Sequence, residues 1–174
     1  MTSEPDNSAD NPSPSEPRTV TVDRDAPIAP ILTQPIVTVG LDATLESVRA
    51  LFKQHRFHHL IVVEKGKAVG VLSERDLLKH ISPFIDQMSE RSQDTWTLRK
   101  RVHQIMQRDL VWASPDTTIH DACLMMAANR ISCLPVLNDQ SKPMGIITAR
   151  DVLRWLADQL DPEAGAGIFK SNAA

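Results

Sequence analysis

The 174-residue sequence predicts an α+β fold made of two pseudo-symmetric halves, and three observations carry that reading. Residues 36–79 recur over residues 110–154. Asp42, Thr44, Arg56, Leu60 and Val62 fall in register on Asp116, Thr118, Arg130, Leu134 and Val136. After one residue inserted in 138–142, Gly70, Arg75, Asp76 and Leu78 fall on Gly145, Arg150, Asp151 and Leu153. In both copies the apolar spacing alternates between strand and helix periods in the same order. Hydrophobic residues make up 41% of the chain, enough for a core, and two copies are too few for a solenoid, so each unit is expected to cover the other's open face.

Each copy reads β-α-β-β-α. A short strand, Ile36 to Val39 or Leu110 to Ala113, leads into Asp-x-Thr, whose Asp or Thr side chain caps a helix by accepting bonds from its first N–H groups. Leu45, Val48, Leu51 and Phe52, like Ile119, Ala122, Met125 and Met126, give that helix one apolar face. A β-branched run follows, 60–63 or 134–137. A polar turn, with Gly66 in one copy and Asn138-Asp139 in the other, joins it to a third strand at 68–72 or 144–147. A closing helix carries Leu77, Leu78 and Ile81, or Val152, Leu153, Trp155 and Leu156.

These elements set the boundaries: a first unit over 31–82, a helical connector over 83–103 and a second unit over 104–160. In the connector Phe84, Ile85 and Met88, then Leu98, Val102, Ile105 and Met106, have helical spacing, which predicts two short helices broken near 94–97. Residues 1–30 hold six of the twelve prolines, no glycine and six acids against two arginines, so they read as a disordered acidic tail. Residues 161–174 read as a second, flexible tail.

Composition narrows the function. Nineteen Lys and Arg against 22 Asp and Glu leave a formal charge of −3, which gives no basic field for nucleic acid. Tyr is absent and aromatics are 4%, too few for base-stacking platforms. No apolar run reaches the roughly 18 residues of a membrane span, and the acidic start is unlike a secretory signal, so a cytoplasmic protein is expected. Cys123 and Cys133 have neither the number nor the spacing of a disulfide framework or zinc site and read as buried thiols. His55, His58 and His59 invite a metal reading, but no Cys or Glu converges on them in sequence, and no metal site is expected.

Chemistry concentrates where the third strand meets the closing helix. Gly70-Val71-Leu72-Ser73-Glu74-Arg75-Asp76 and Gly145-Ile146-Ile147-Thr148-Ala149-Arg150-Asp151 share the form Gly-h-h-[Ser/Thr]-x-Arg-Asp. A hydroxyl and a carboxylate three residues apart across such a junction can face one ligand. There the Asp can accept paired ribose hydroxyls, the Arg can bond phosphate, and free helix N–H groups can add to anion binding. The plain alternative is a capping arrangement with a solvated Arg.

These residues, with Ile131-Ser132-Cys133-Leu134-Pro135-Val136 and Ser114-Pro115-Asp116-Thr117-Thr118, resemble a tandem pair of cystathionine-β-synthase (CBS) domains, a Bateman module, over about 31–160. The first copy departs from the family pattern at Ile61, where Pro is usual, and at Ser73, where Thr is commoner. The resemblance implies composite clefts that take an adenine nucleotide (AMP, ADP or ATP) or S-adenosylmethionine. One cleft would join Thr148, Arg150 and Asp151 to Phe57, His58, His59, Leu60, Pro35, Ile36 and Val37. The other would join Ser73, Arg75 and Asp76 to Ile131, Ser132, Cys133, Leu134, Leu110 and Val111. The two histidines favour the Thr148/Asp151 cleft as the tighter phosphate site. The resemblance further implies a homodimer through apolar helix faces, an unknown protein target, and a regulatory module rather than an enzyme. The competing expectation is a ligand-free dimerisation or docking protein of the same fold.

Overall fold

The computed structural model describes residues 22–55 and 57–160. The first repeat forms β1 (Thr38–Gly40), α1 (Leu45–Gln54), β2 (His59–Glu64), β3 (Lys67–Ser73) and α2 (Glu74–His80). The connector carries a short α3 (Ser92–Trp96), and the second repeat forms α4 (Ile119–Asn129), β4 (Cys133–Leu137), β5 (Pro143–Thr148) and α5 (Ala149–Leu160). Sheet one has the order β1-β2-β3, with β1 parallel and β3 antiparallel to β2; sheet two is the antiparallel pair β4-β5.

Local chemistry explains the elements. Thr44 and Thr118 cap α1 and α4, their hydroxyls accepting from the N–H groups of Ser47 and Asp121 at 3.2 and 3.0 Å. Lys65 and Gly66 both adopt positive φ, 50° and 78°, which a two-residue turn between twisted strands requires and Gly supplies without strain. In the other hairpin the Asn138 side chain accepts from the N–H groups of Gln140 and Lys142 at 3.0 and 2.9 Å.

The first strand of the second copy does not form over Leu110 to Ala113. It shrinks to a single parallel bridge between Ala113 and Val136. Ala113 donates to the Pro135 carbonyl at 2.9 Å and accepts from Leu137 at 3.0 Å. Extending the ladder backwards needs an N–H at Pro135, which proline lacks; Ile61 at the matching place in β2 lets β1 form.

Each core borrows from outside its own repeat. Leu45, Val48, Leu60, Val62, Leu72 and Leu77 of the first repeat pack with Val102 at the end of the connector and Met106 just beyond it. Ile119, Ala122, Leu134, Val136 and Ile147 of the second pack with Ile28, which is fully buried. The borrowed segments lie antiparallel against the third strands, through bridges Val71↔Gln107 and Thr33↔Ile146. The motif glycines sit under these crossings: a Cβ on Gly70 would come within 2.6 Å of the Gln107 carbonyl oxygen.

Two expectations change accordingly. Residues 22–30 are not a disordered tail, because Ile28 buries its side chain and Pro27 bridges Thr118; the remainder of that tail and residues 161–174 lie outside the described residues. The connector is not two helices broken near 94–97. Its helix α3 occupies the expected break, where the Asp94 carboxylate accepts from the Arg91 N–H at 2.8 Å and the Ser82 hydroxyl at 2.6 Å. Ile85 is buried, and Asp86 fastens the connector to α1 through Arg49 and Lys53 at 2.6 and 2.7 Å, contacts that hold its carboxyl down at about 2.

Candidate functional site

The third strands deliver Ser73 and Thr148 to the starts of α2 and α5, where each hydroxyl meets the carboxylate three residues on. The Ser73 hydroxyl donates to Asp76 Oδ2 at 2.5 Å and accepts the Asp76 N–H at 3.1 Å. Thr148 repeats this with Asp151 at 2.6 and 3.3 Å. The motif is one design used twice, but its surroundings differ.

Asp151 is turned onto the protein's own donors. It also accepts the Thr148 N–H at 2.8 Å and the Thr33 hydroxyl at 3.4 Å to each oxygen, and Arg154 stands 3.9 Å away. Its side chain is 10% exposed. The Asp76 side chain is 33% exposed, pairs with Lys79 at 3.2 Å, and opens on a cavity of about 400 Å³ between the repeats. Burial raises the Asp76 carboxyl, but the Ser73 hydroxyl and Lys79 ammonium outweigh it and hold the group below the usual carboxylate range.

Ser73, Arg75, Asp76, Ile131, Ser132, Cys133, Leu110 and Val111 all line this cavity, with Leu134 turned into the core instead. Cys133 is buried, which pushes its thiol up to about 12 and leaves it a neutral wall. Sequence reasoning missed Val71, Lys79, Gln107, Asp109, Asn129, Arg130 and Pro135, which complete the lining. Lys79 could have been found as one helical turn beyond Arg75, and Arg130 as a repeated identity with no role attached.

The residues grouped with Thr148, Arg150 and Asp151 do not converge in the same way. His59 pairs with Ser73 across β2 and β3, lines the Ser73/Asp76 cavity, and lies 3.4 Å from the Ser132 hydroxyl. Burial, then the neighbouring His58, pull the His59 imidazole below its usual range, with Asp76 opposing. His58 contacts Glu74 at 2.7 Å in an exposed position. Phe57 packs edge-on against Phe52 at 5.8 Å, Leu60 is fully buried in the core, and Val37 packs against that core. Pro35 follows a cis peptide bond and is exposed with Arg150, while Ile36 is half-buried. The cavity of about 400 Å³ thus lies at the Ser73/Asp76 cleft and takes His59 into its lining, whereas the histidines had favoured the Thr148/Asp151 cleft. Helix α1 ends at Gln54, so His55, His58 and His59 share no helical face, and His55 stacks on Phe57 at 5.2 Å.

The helix starts offer less to an anion than the motif suggests. The Glu74 N–H donates to the His58 carbonyl at 2.9 Å and the Ala149 N–H to the Ser132 carbonyl at 3.0 Å, while the Asp76 and Asp151 N–H groups go to their capping hydroxyls. Negative charge in the open cleft would be met chiefly by the side chains that line it.

Known proteins share this architecture. The CBS domain pattern matches residues 24–83 and 102–158, and the chain belongs to the CBS domain family as a tandem pair. Both matches begin upstream of the capped helices, at the borrowed segments. The CBS domain of a CBS domain-containing membrane protein from Sphaerobacter thermophilus is 32% identical with a TM-score of 0.66, over 76% of this chain and 88% of that one. The CBS domain pair of protein MJ0100, solved in complex with 5′-methylthioadenosine and S-adenosyl-L-methionine, shares the fold at 24% identity and a TM-score of 0.64, over 77% of this chain and 98% of that one. Protein MJ0188 of Methanocaldococcus jannaschii is 28% identical over 144 residues, 83% of this chain; the chain spans about half, 49%, of that relative. No helix among the described residues is long and apolar enough to cross a membrane.

Proposed function

We propose that this chain is a regulatory, non-catalytic module that binds an adenine nucleotide or a related adenosine compound in the Ser73/Asp76 cleft and signals to a protein partner. The observation that carries this reading is the cavity itself, which combines a capped carboxylate, cationic side chains and apolar walls from both repeats. At about 400 Å³ it falls in the range of small-molecule sites. Asp76 is placed to accept ribose hydroxyls, Ile131, Val71 and Pro135 to wall the base, and Arg75 to meet phosphate. The adenosine ligands in the MJ0100 pair support the same ligand class here.

Signalling follows from the composite construction. A ligand touching α2 and β3 of one repeat and the α4–β4 junction of the other would favour whichever spacing of the repeats fits it best, which is the differential affinity a switch requires. The expected dimer fits Leu78 and Leu153, matching residues on α2 and α5 whose side chains are exposed at 62% and 65%, whereas Leu77 beside Leu78 is buried. The two free cysteines suit a reducing cytoplasm.

Thermal unfolding with AMP, ADP, ATP, S-adenosylmethionine and 5′-methylthioadenosine tests the reading. A ligand at 100 times its dissociation constant adds about 2.7 kcal/mol, several degrees for a chain of this size. No shift with any compound, confirmed by calorimetry, would move the assignment to a ligand-free docking protein. Light scattering that reports a monomer would remove the dimer.

A further inference from the structure

We infer that Lys79 and Arg130, two cations outside the sequence motif, make the Ser73/Asp76 cleft select adenosine ligands that carry a phosphate chain over cationic or uncharged ones. The inference rests on the nucleotide-binding reading above and sharpens its ligand class. Three cations line the cavity, Arg75, Lys79 and Arg130, against two carboxylates, Asp76 and Asp109. Arg75 and Lys79 stand one turn apart on α2, four residues in sequence and so on one helix face. Arg130 comes from the second repeat, at the C-terminal cap of α4, where a positive φ of 55° ends the helix at the cavity.

These cations keep donors available. Lys79 spends one of three N–H bonds on Asp76, and neither Arg75 nor Arg130 has an ion-pair partner among the described residues. At the start of α2 the N–H groups of Glu74 and Asp76 are already bonded, so the backbone adds less than the three side chains do. A phosphate chain leaving a ribose held by Asp76 would find cations on both walls. A sulfonium ligand would bring positive charge to the same place, and an uncharged thioether would leave the cations unanswered.

The test is calorimetric titration of the full chain with ADP, AMP, S-adenosylmethionine and adenosine, repeated for Lys79→Gln and Arg130→Gln and at two salt concentrations. ADP should bind more tightly than AMP, and both more tightly than S-adenosylmethionine. Each substitution should weaken ADP about 10-fold, the scale of one charge-assisted bond, and leave adenosine within roughly 2-fold. Added salt should weaken ADP and spare adenosine. Far-UV circular dichroism and the melting temperature of each variant check that it is folded. If S-adenosylmethionine binds as tightly as ADP, or both variants bind ADP like the parent, this inference falls while the nucleotide reading stands. If neither the nucleotides nor adenosine bind, both fall.

Discussion

The Ser73/Asp76 and Thr148/Asp151 clefts start from the same seven-residue pattern and the same hydroxyl-to-carboxylate contact, yet Asp76 opens on a cavity while Asp151 is buried against the protein's own donors. The difference lies in the segment each third strand receives from outside its repeat. Thr33 and Gln107 occupy matching places in the two crossings, opposite Ile146 and Val71. The short Thr33 hydroxyl reaches Asp151, whereas Gln107 lines the cavity and leaves Asp76 facing it. Under the proposed function, the shared motif supplies the hydroxyl and carboxylate, and the neighbouring segment decides whether they face a cavity.

The strongest way to break the comparison is to remove each carboxylate in turn. Asp76→Ala should weaken nucleotide binding about 100-fold, the loss of two hydrogen bonds to a charged group, while Asp151→Ala should leave affinity within about 3-fold by titration calorimetry. The glycines under the crossings give the next largest contrast. Gly70→Ala drives a methyl against the Gln107 carbonyl at 2.6 Å and should cost about 1–3 kcal/mol by denaturant unfolding. Gly145→Ala meets the Leu32 side chain at 3.1 Å, which has more freedom to yield, and should cost less.

Asp151→Ala has a stability effect of its own. It strips the bonding partner from the Thr148 N–H and the Thr33 hydroxyl, so about 1–2 kcal/mol should be lost, against less for the more exposed Asp76→Ala. The smallest effect is a pH dependence. The His59 imidazole titrates lower in the folded chain than its ordinary 6.5, so the unfolded chain takes up a proton first as the pH falls. Stability should therefore rise with pH up to about 6.5 and then level off, and His59→Gln should flatten that slope in chemical denaturation measured from pH 5 to 8.

How much of this was legible in the sequence follows the range of each interaction. Caps at Thr44 and Thr118, the helical faces and the Gly66 turn are local and could be read directly. The exchange of segments could not, because Ile28 sits among Pro and Ala and its partners lie far away in the chain; its burial is a tertiary fact. The α3 helix was missed because a side-chain contact, Ser82 to Asp94, sets it rather than apolar spacing. Pro135 was in plain view, but its cost to the first strand of the second copy depends on knowing which strand lies beside it. The resemblance groups His59 with Thr148 and Asp151, whereas its register opposite Ser73 brings it to the lining of the Ser73/Asp76 cavity, a pairing that the sequence alone does not display.

The central claim is that each chain offers one ready nucleotide site, at Asp76. Titration calorimetry of the full chain with ADP measures it most directly. The account predicts one ADP per chain, lost in Asp76→Ala and kept in Asp151→Ala. Two equivalent molecules per chain, or a single molecule lost only in Asp151→Ala, would contradict it.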